Sequence, residues 1–427
     1  MHHVSMLFLL LITFILIGVP IYIAMAFSSI IMLFVLDIPL SVLAVRLFGG
    51  IDSFTLMAIP FFILAGNIMV EAKITDKVVE FADSLVGRFK GGLGHVNILS
   101  SMIFAGIQGS GVADASAVGS IMIPSMIKQG YEKDYAVAVT ASSATIGPII
   151  PPSIAMIMYG YYTQLSVARL FLGGLLPGIL VGIGLMIVNG IVFRKRNYNF
   201  ERTHYDLKGV IIKFFQSIGA LTMPLIIILG IVTGVFTPTE SGIAATVYGL
   251  FYGLVITRQL KVRRLPRVIV KSANTTAIVM IVLSVAGVFS QILTRLRFQR
   301  IIIDQVLLTF PNKYMATIAI MLVLIILGLF IDPSVLIVMF GATVSSAGIL
   351  LGFDPIHFGI VMVIAMMMGA VTPPVGSMLY ISCSIARIPI EKSIRVLLPF
   401  ISVLFFVAFV VLFVPGMVTW INVLVFR

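Results

Sequence analysis

Apolar residues fill this chain in runs of about 20 positions, the length of helix that crosses a hydrocarbon slab of about 30 Å. The pattern predicts helical spans over residues 6–36, 54–72, 135–163, 167–193, 217–235, 239–257, 272–293, 355–386 and 394–421. Two more apolar stretches, 92–126 and 314–351, are interrupted near their middles by Gly109-Ser110-Gly111 and Asp332-Pro333-Ser334. Irregular backbone at membrane depth persists only inside protein or beside a water-filled cavity, so both stretches read as re-entrant hairpins. Residues 73–90 and 295–305, each between a span and a hairpin, are amphipathic enough to lie along the membrane interface.

Composition agrees with this pattern. With 60% hydrophobic and 10% charged residues among 427, the chain is too apolar for a soluble fold, and no soluble domain is left over. The first apolar run lacks a charged leading segment and a small-residue cleavage site, so it is read as a retained span rather than a signal peptide. One cysteine, Cys383, excludes an intramolecular disulfide framework, and no Cys/His spacing points to zinc or haem.

A net charge of +12 would raise nucleic acid as a partner for a soluble protein. Here the cations sit in short loops between apolar spans, where topology explains them better. Two clusters stand out: Arg194, Lys195, Arg196, Arg202, Lys208 and Lys213, then Arg258, Lys261, Arg263, Arg264, Arg267 and Lys271. Both are expected in the cytoplasm, because residues 217–257 hold two passages that return the chain to one side.

Laid over itself at a constant offset, the sequence repeats. Gly106 falls on Gly328, Gly130 on Gly352, Glu132 on Asp354 and Gly147 on Gly369. Pro151-Pro152 falls on Pro373-Pro374, and Leu175-Leu176-Pro177 on Leu397-Leu398-Pro399. Leucine matches mean little in such a composition, but paired glycines and double prolines at the interruptions do not arise cheaply. Counting passages sets the hairpin loops on opposite sides of the membrane. The expectation is an all-α polytopic protein of two inverted repeats, 1–193 and 217–427, joined by a basic cytoplasmic connector, 194–216.

Inverted repeats with broken helices place ion and solute sites near the midplane, where half-helices end. Proline removes an amide donor and glycine accepts unusual dihedrals, so the helix opens and leaves carbonyl oxygens for a cation. Hydroxyls at the same points supply hard oxygen ligands, which suit sodium better than a soft metal. Candidate cation positions are Gly109, Ser110, Thr145, Gly147, Asp332, Gly369 and Thr372. Amino ends of half-helices favour a carboxylate, which makes Ser143, Pro148, Ser153, Pro373 and Gly376 candidates for holding a small anionic solute.

Three acids lie in apolar surroundings, where an unpaired charge is costly. Asp332 either shapes a cation site or caps the helix after Pro333. Asp114 and Glu240 read first as caps or braces. Arg295, Arg297 and Arg300 form a basic group on the expected periplasmic side, suited to a partner, an anionic solute or lipid phosphates. Enzyme signatures are lacking: Gly109-Ser110-Gly111 is not a nucleophile elbow, and there is no H-E-x-x-H. An intramembrane hydrolase is the remote alternative to transport, and a stand-alone cation-coupled carboxylate transporter the near one.

Several runs together resemble the DctM-like large subunit of tripartite ATP-independent periplasmic (TRAP) transporters. They are 59–67 (IPFFILAGN), Phe104-Ala105-Gly106 with Ala113-Asp114-Ala115, Ile123-Pro124-Ser125-Met126, 147–153 (GPIIPPS), 236–240 (FTPTE) and 372–376 (TPPVG). The likeness covers residues 17–415. It implies a sodium-driven importer of organic acids, such as dicarboxylates or sialic acid, in the bacterial inner membrane. It also implies an elevator motion of hairpins and broken helices past a static scaffold, and sodium sites at Ser110 and Gly147 and at Gly369 and Thr372. A small four-helix membrane subunit and a periplasmic substrate-binding protein are the implied partners. No fused small subunit is expected ahead of the first span. One departure is Gln108, where the resemblance leads one to expect a small residue.

Overall fold

The computed structural model describes residues 2–196, 207–298, 300, 301, 305 and 309–426. The middle of the basic connector and parts of the second amphipathic stretch, 295–305, lie outside the described residues. Among the described residues the regular structure is helical, without strands. Six helices are long and apolar enough to cross a membrane, or seven if one bent pair counts as a span. Their outer faces agree with that setting. On the helix Val167–Lys195, Ile183, Ile187 and Ile191 recur one turn apart and are 47%, 60% and 50% exposed, a stripe that only lipid would solvate favourably.

The first helices are α1 (His2–Leu16), α2 (Ile21–Val35), α3 (Ser41–Gly49) and α4 (Ala58–Glu71). The single span expected over 6–36 is in fact two helices, α1 and α2. Gly18 takes a φ of +86° and Pro20 brings no amide, so the helical ladder cannot continue through them. α5 (Ile74–Val86) turns 72° away from α4, as the amphipathic reading of 73–90 requires. Later come α11 (Leu207–Val232), α12 (Pro238–Phe251) and α13 (Leu265–Arg295). α4 packs against α12 and α13, α13 against α2 and α3, and α11 against α5 and α12. Lipid provides no hydrophobic drive between helices, so polar pins help to hold this group together. Asn67 Nδ2 donates to Ser272 Oγ at 3.0 Å, Thr239 Oγ1 to the Phe54 carbonyl at 2.6 Å, and Ser284 Oγ to the Leu47 carbonyl at 2.6 Å.

The other group contains α6 (Gly92–Gln108), α7 (Gly111–Lys128), α8 (Lys133–Ala144), α9 (Ile154–Thr163) and α10 (Val167–Lys195). It also contains α14 (Lys313–Gly328), α15 (Pro333–Leu350), α16 (Pro355–Gly369), α17 (Ser377–Ala386), α18 (Ile394–Phe413) and α19 (Gly416–Val425). The span expected over 394–421 divides into α18 and α19 at Val414-Pro415, again where an amide is missing. Elements keep step under the sequence offset: α7 opens at Gly111 and α15 at Pro333, α8 at Lys133 and α16 at Pro355. Pro151-Pro152 and Pro373-Pro374 are both cis.

α14 and α16 cross with their backbones in contact. A Cβ on Gly369 would lie 2.5 Å from the Gly328 Cα, and one on Gly328 2.9 Å from the Gly369 Cα. Neither neighbour is a flexible side chain that can step aside, so Gly369→Ala should destabilise the purified protein by about 1–3 kcal/mol, read as a lower unfolding midpoint. A second expectation concerns the α5–α11 contact, where Lys213 Nζ lies 2.6 Å and Lys77 Nζ 3.4 Å from Glu80 Oε2. The hydrogen bond from Lys213 holds the Glu80 carboxyl below its ordinary range. Its stabilising share is therefore complete above the unfolded pKa, and it is lost as pH falls through the lower folded value. Glu80→Gln should cost under about 1 kcal/mol at neutral pH, since the pair is partly solvated, and that gap should close under acid in unfolding curves.

Candidate functional site

Four helix breaks converge in the second group. At the first, α6 ends on Gly109, whose φ is +63° and whose added Cβ would lie 2.0 Å from the Pro152 carbonyl oxygen. Only glycine fits there. The Gly109 carbonyl accepts from the Ile154 amide at 3.2 Å, which ties this tip to the start of α9. Ser110 caps α7 by accepting from the Ala113 amide at 3.4 Å.

The second break joins α8 to α9. Thr145, Gly147, Pro148 and Ser153 are all buried in it. Ser153 caps α9, accepting from the Met156 amide at 3.1 Å, and its hydroxyl donates to the Pro148 carbonyl at 2.5 Å. Thr145 donates to the Ser142 carbonyl at 2.6 Å. Gly147 faces the first tip: a Cβ there would lie 3.3 Å from the Ser110 carbonyl oxygen. Gly109, Ser110, Gly147, Pro148 and Ser153 therefore share one place.

In the second half, Asp332 caps α15, its Oδ1 accepting from the Ser334 amide at 2.9 Å. The capping role is thus filled, and its second oxygen is left for other work. The α16–α17 break carries Gly369, Thr372, Pro373 and Gly376. Thr372 Oγ1 donates to the Met368 carbonyl at 2.6 Å. Gly376, at φ +41°, gives its amide to the Leu329 carbonyl at 3.4 Å, which joins this break to the tip between α14 and α15. Pro374 and Val375 beside it are exposed, whereas the matching break in the first half is buried throughout.

The halves are interleaved. α17 packs on α7 and α8, and α15 packs on α9. A Cβ on Gly111 would meet the Met378 Cε at 2.1 Å, so the α7 and α17 starts touch. The repeat therefore brings together the two sets of ends that the sequence places far apart.

Other candidates settle differently. Glu240 completes a capping box at the start of α12: its Oε2 accepts from the Thr237 amide at 2.7 Å, and its own amide donates to Thr237 Oγ1 at 3.2 Å. Asp114 is no cap, because Ser110 holds that position. It is 1% exposed, and its carboxyl lies by the Ser101 hydroxyl of α6. Ser143 faces away from the breaks into a buried chain: Ser101 donates to Ser143 at 3.1 Å, Ser143 to Asn97 Oδ1 at 3.3 Å, and Asn97 to Thr140 at 2.6 Å. Arg295, which ends α13, and Arg297 and Arg300 beyond it are all exposed.

Sequence reasoning missed the Asn97–Ser101–Thr140 chain and the setting of Gln108. Gln108 lies buried at the end of α6 against α4, where a Cβ on Gly66 would meet its Cγ at 2.4 Å. The unexpected size of Gln108, noted from sequence, was the available signal.

Broken helices set among six or seven candidate spans mark an integral membrane protein. The family model described as "Tripartite ATP-independent periplasmic transporter, DctM component" matches residues 8–417. This chain belongs to that family, and it is a multi-span protein of the inner membrane and not an enzyme. It is 36% identical over 372 residues to the sialic acid TRAP transporter large permease protein SiaM of Vibrio cholerae, covering 87% of each chain. It is 35% identical over 444 residues to the C4-dicarboxylate TRAP transporter large permease protein DctM of the same species, covering 99% of this chain and 98% of that one. Its fold is similar to the crystal structure of the YdaH transporter of Alcanivorax borkumensis, with a TM-score of 0.59 at 12% identity, over 88% of this chain and 89% of that one.

Ser153 joins the start of α9 to the Pro148 carbonyl across the second break, so Ser153→Ala removes both bonds at a buried point. A loss of about 1–3 kcal/mol is expected in the unfolding free energy. Gly109→Ala, with no room and a positive φ, should lose more, again read by thermal unfolding of the purified chain.

Proposed function

We propose that this chain is the transport subunit of a sodium-coupled, binding-protein-dependent importer of an organic acid. The second helix group moves as an elevator against the first. The observation that supports this reading most is the convergence of four breaks, in which acids and hydroxyls are present and Lys and Arg are not. Ser110, Gly147 and Thr145 form one candidate cation locus, with the buried Asp114 carboxyl on the first turns of α7. Asp332, Gly369 and Thr372 form the second. Hard oxygen donors of this kind suit sodium.

The solute's carboxylate is assigned to the amino ends of α9 and α17, near Ser153, Pro373 and Gly376, where the positive end of the helix dipole favours an anion. An organic acid of the sialic acid or C4-dicarboxylate class follows from that polarity and from what the relatives carry by name. The two repeats are taken to run in opposite directions through the membrane, which exchanges the exposed and buried breaks as the group moves. A small four-helix membrane subunit would pack on the first group, and a periplasmic binding protein would deliver the solute.

The test is uptake into vesicles holding the chain and its small subunit, with loaded binding protein outside. An inward sodium gradient should drive accumulation, and Asp332→Asn and Ser110→Ala should each cut the initial rate by about tenfold or more, equivalent to about 1.4 kcal/mol. Rates indifferent to sodium would remove the coupling. Equal rates without the binding protein would favour a stand-alone carrier.

A further inference from the structure

The turn between α5 and α6 and the end of α10 line a half-open cavity of about 530 Å³ that shares no lining residue with the four breaks. Its lining divides by chemistry. Arg88, Lys90 and Arg194 supply cations, while Phe89, Met186, Ile187 and Ile191 supply an apolar wall, and no acid is among the lining residues.

The turn that presents these cations is held from below. His95 Nε2 donates to the Lys90 carbonyl at 2.9 Å, and Asn189 Nδ2 donates to the Gly91 carbonyl at 3.4 Å. Gly91 takes a φ of +121°, and a Cβ there would meet His95 Nε2 at 2.5 Å and Asn189 Nδ2 at 2.7 Å, so the backbone can sit this low only as glycine. Arg88 is further braced by its own neighbour, its guanidinium lying 5.0 Å from the Phe89 ring centroid.

The excess of cytoplasmic basic residues accounts for charge on this side of the membrane, but not for a concave, braced cradle. The wall is equally informative. Ile187 and Ile191 belong to the exposed stripe of α10 that begins at Ile183, so the cavity is continuous with the lipid-facing surface. A ligand that fits must join a phosphate-bearing head to an apolar tail that leaves along that stripe.

We propose that this cavity binds the headgroup of an anionic phospholipid of the cytoplasmic leaflet. The phosphate lies between Arg88, Lys90 and Arg194, and one acyl chain follows Ile191, Ile187 and Ile183. Basic recesses between membrane helices at the cytoplasmic face recognise such heads electrostatically. The lipid would fasten the end of α10 to the turn that leads into the first hairpin.

The experiment uses the purified full chain in neutral detergent, with phosphatidylglycerol as probe, phosphatidylcholine as control, and native mass spectrometry to count retained lipid. Lys90 and Arg194 are exposed, so Lys90→Gln and Arg194→Gln should leave the fold intact. Wild type should retain phosphatidylglycerol over phosphatidylcholine, with retention falling about fivefold for each cation removed. Lys261→Gln with Arg263→Gln, a change in the other basic cluster, should leave it unaltered. Unfolding midpoints should rise with phosphatidylglycerol in wild type and in the control variant, and far less in Lys90→Gln/Arg194→Gln. Equal retention by all variants would overturn the site. Inorganic phosphate at millimolar concentration that displaced the lipid and reproduced its stabilisation would identify a free-anion site instead and overturn the lipid assignment.

Discussion

Every backbone amide and carbonyl at membrane depth must find a partner within the protein, and this requirement shapes the whole molecule. A helix satisfies its own ladder, so each interruption needs cover from elsewhere. The Gly109 carbonyl is covered by the Ile154 amide, the Pro148 carbonyl by Ser153, and the Leu329 carbonyl by the Gly376 amide. Each bond joins a hairpin tip to a broken helix or bridges a break from within. Close approach is a condition of this cover, which is why Gly109, Gly369 and Gly376 stand where any side chain would press on backbone atoms.

Helix packing ties the two halves together. α7 of the first half leans on α17 of the second, and α15 of the second leans on α9 of the first. Each half covers the carbonyls of its own breaks, and the two sets of ends meet where the Met378 side chain of α17 lies against Gly111 of α7. The buried first break and the partly exposed second break then differ in access rather than in construction. In an elevator, that difference is the quantity that movement would change.

Much of this arrangement was legible because its causes are local. Glycine, proline and hydroxyl residues announce a break wherever they cluster, and a constant offset revealed that they cluster twice. The Thr237–Glu240 capping box was readable for the same reason. Length alone misled at residues 6–36 and 394–421, where continuous apolar runs outweighed Gly18, Pro20 and Pro415. Asp114 is not the cap of α7, because Ser110, four residues earlier, supplies it, and of the two roles read from sequence only the brace is left. The chain through Asn97, Ser101, Thr140 and Ser143 could not be read at all. It depends on how α6 and α8 face each other: Asn97 and Ser101, and Thr140 and Ser143, each lie one turn apart, but such short polar pairs do not say which helix they meet.

Charge placement links the fold to its task. The ion pairs among the described residues lie at helix ends and along α5: Glu80 with Lys213, Glu71 with Arg264, and Arg196 with Asp134 and Glu132. Near the four breaks the chain instead keeps Asp114 and Asp332 and brings no Lys or Arg among the residues described there. A carboxylate ionised in such a place without a basic partner repels an organic anion unless a cation accompanies it. A cation held at the broken ends would therefore do two things at once: it would satisfy carboxyl and carbonyl oxygens, and it would remove the repulsion that an incoming carboxylate meets. Under the proposed coupling no signal need pass between distant sites, because the charge that favours the solute would be the charge of the ion itself.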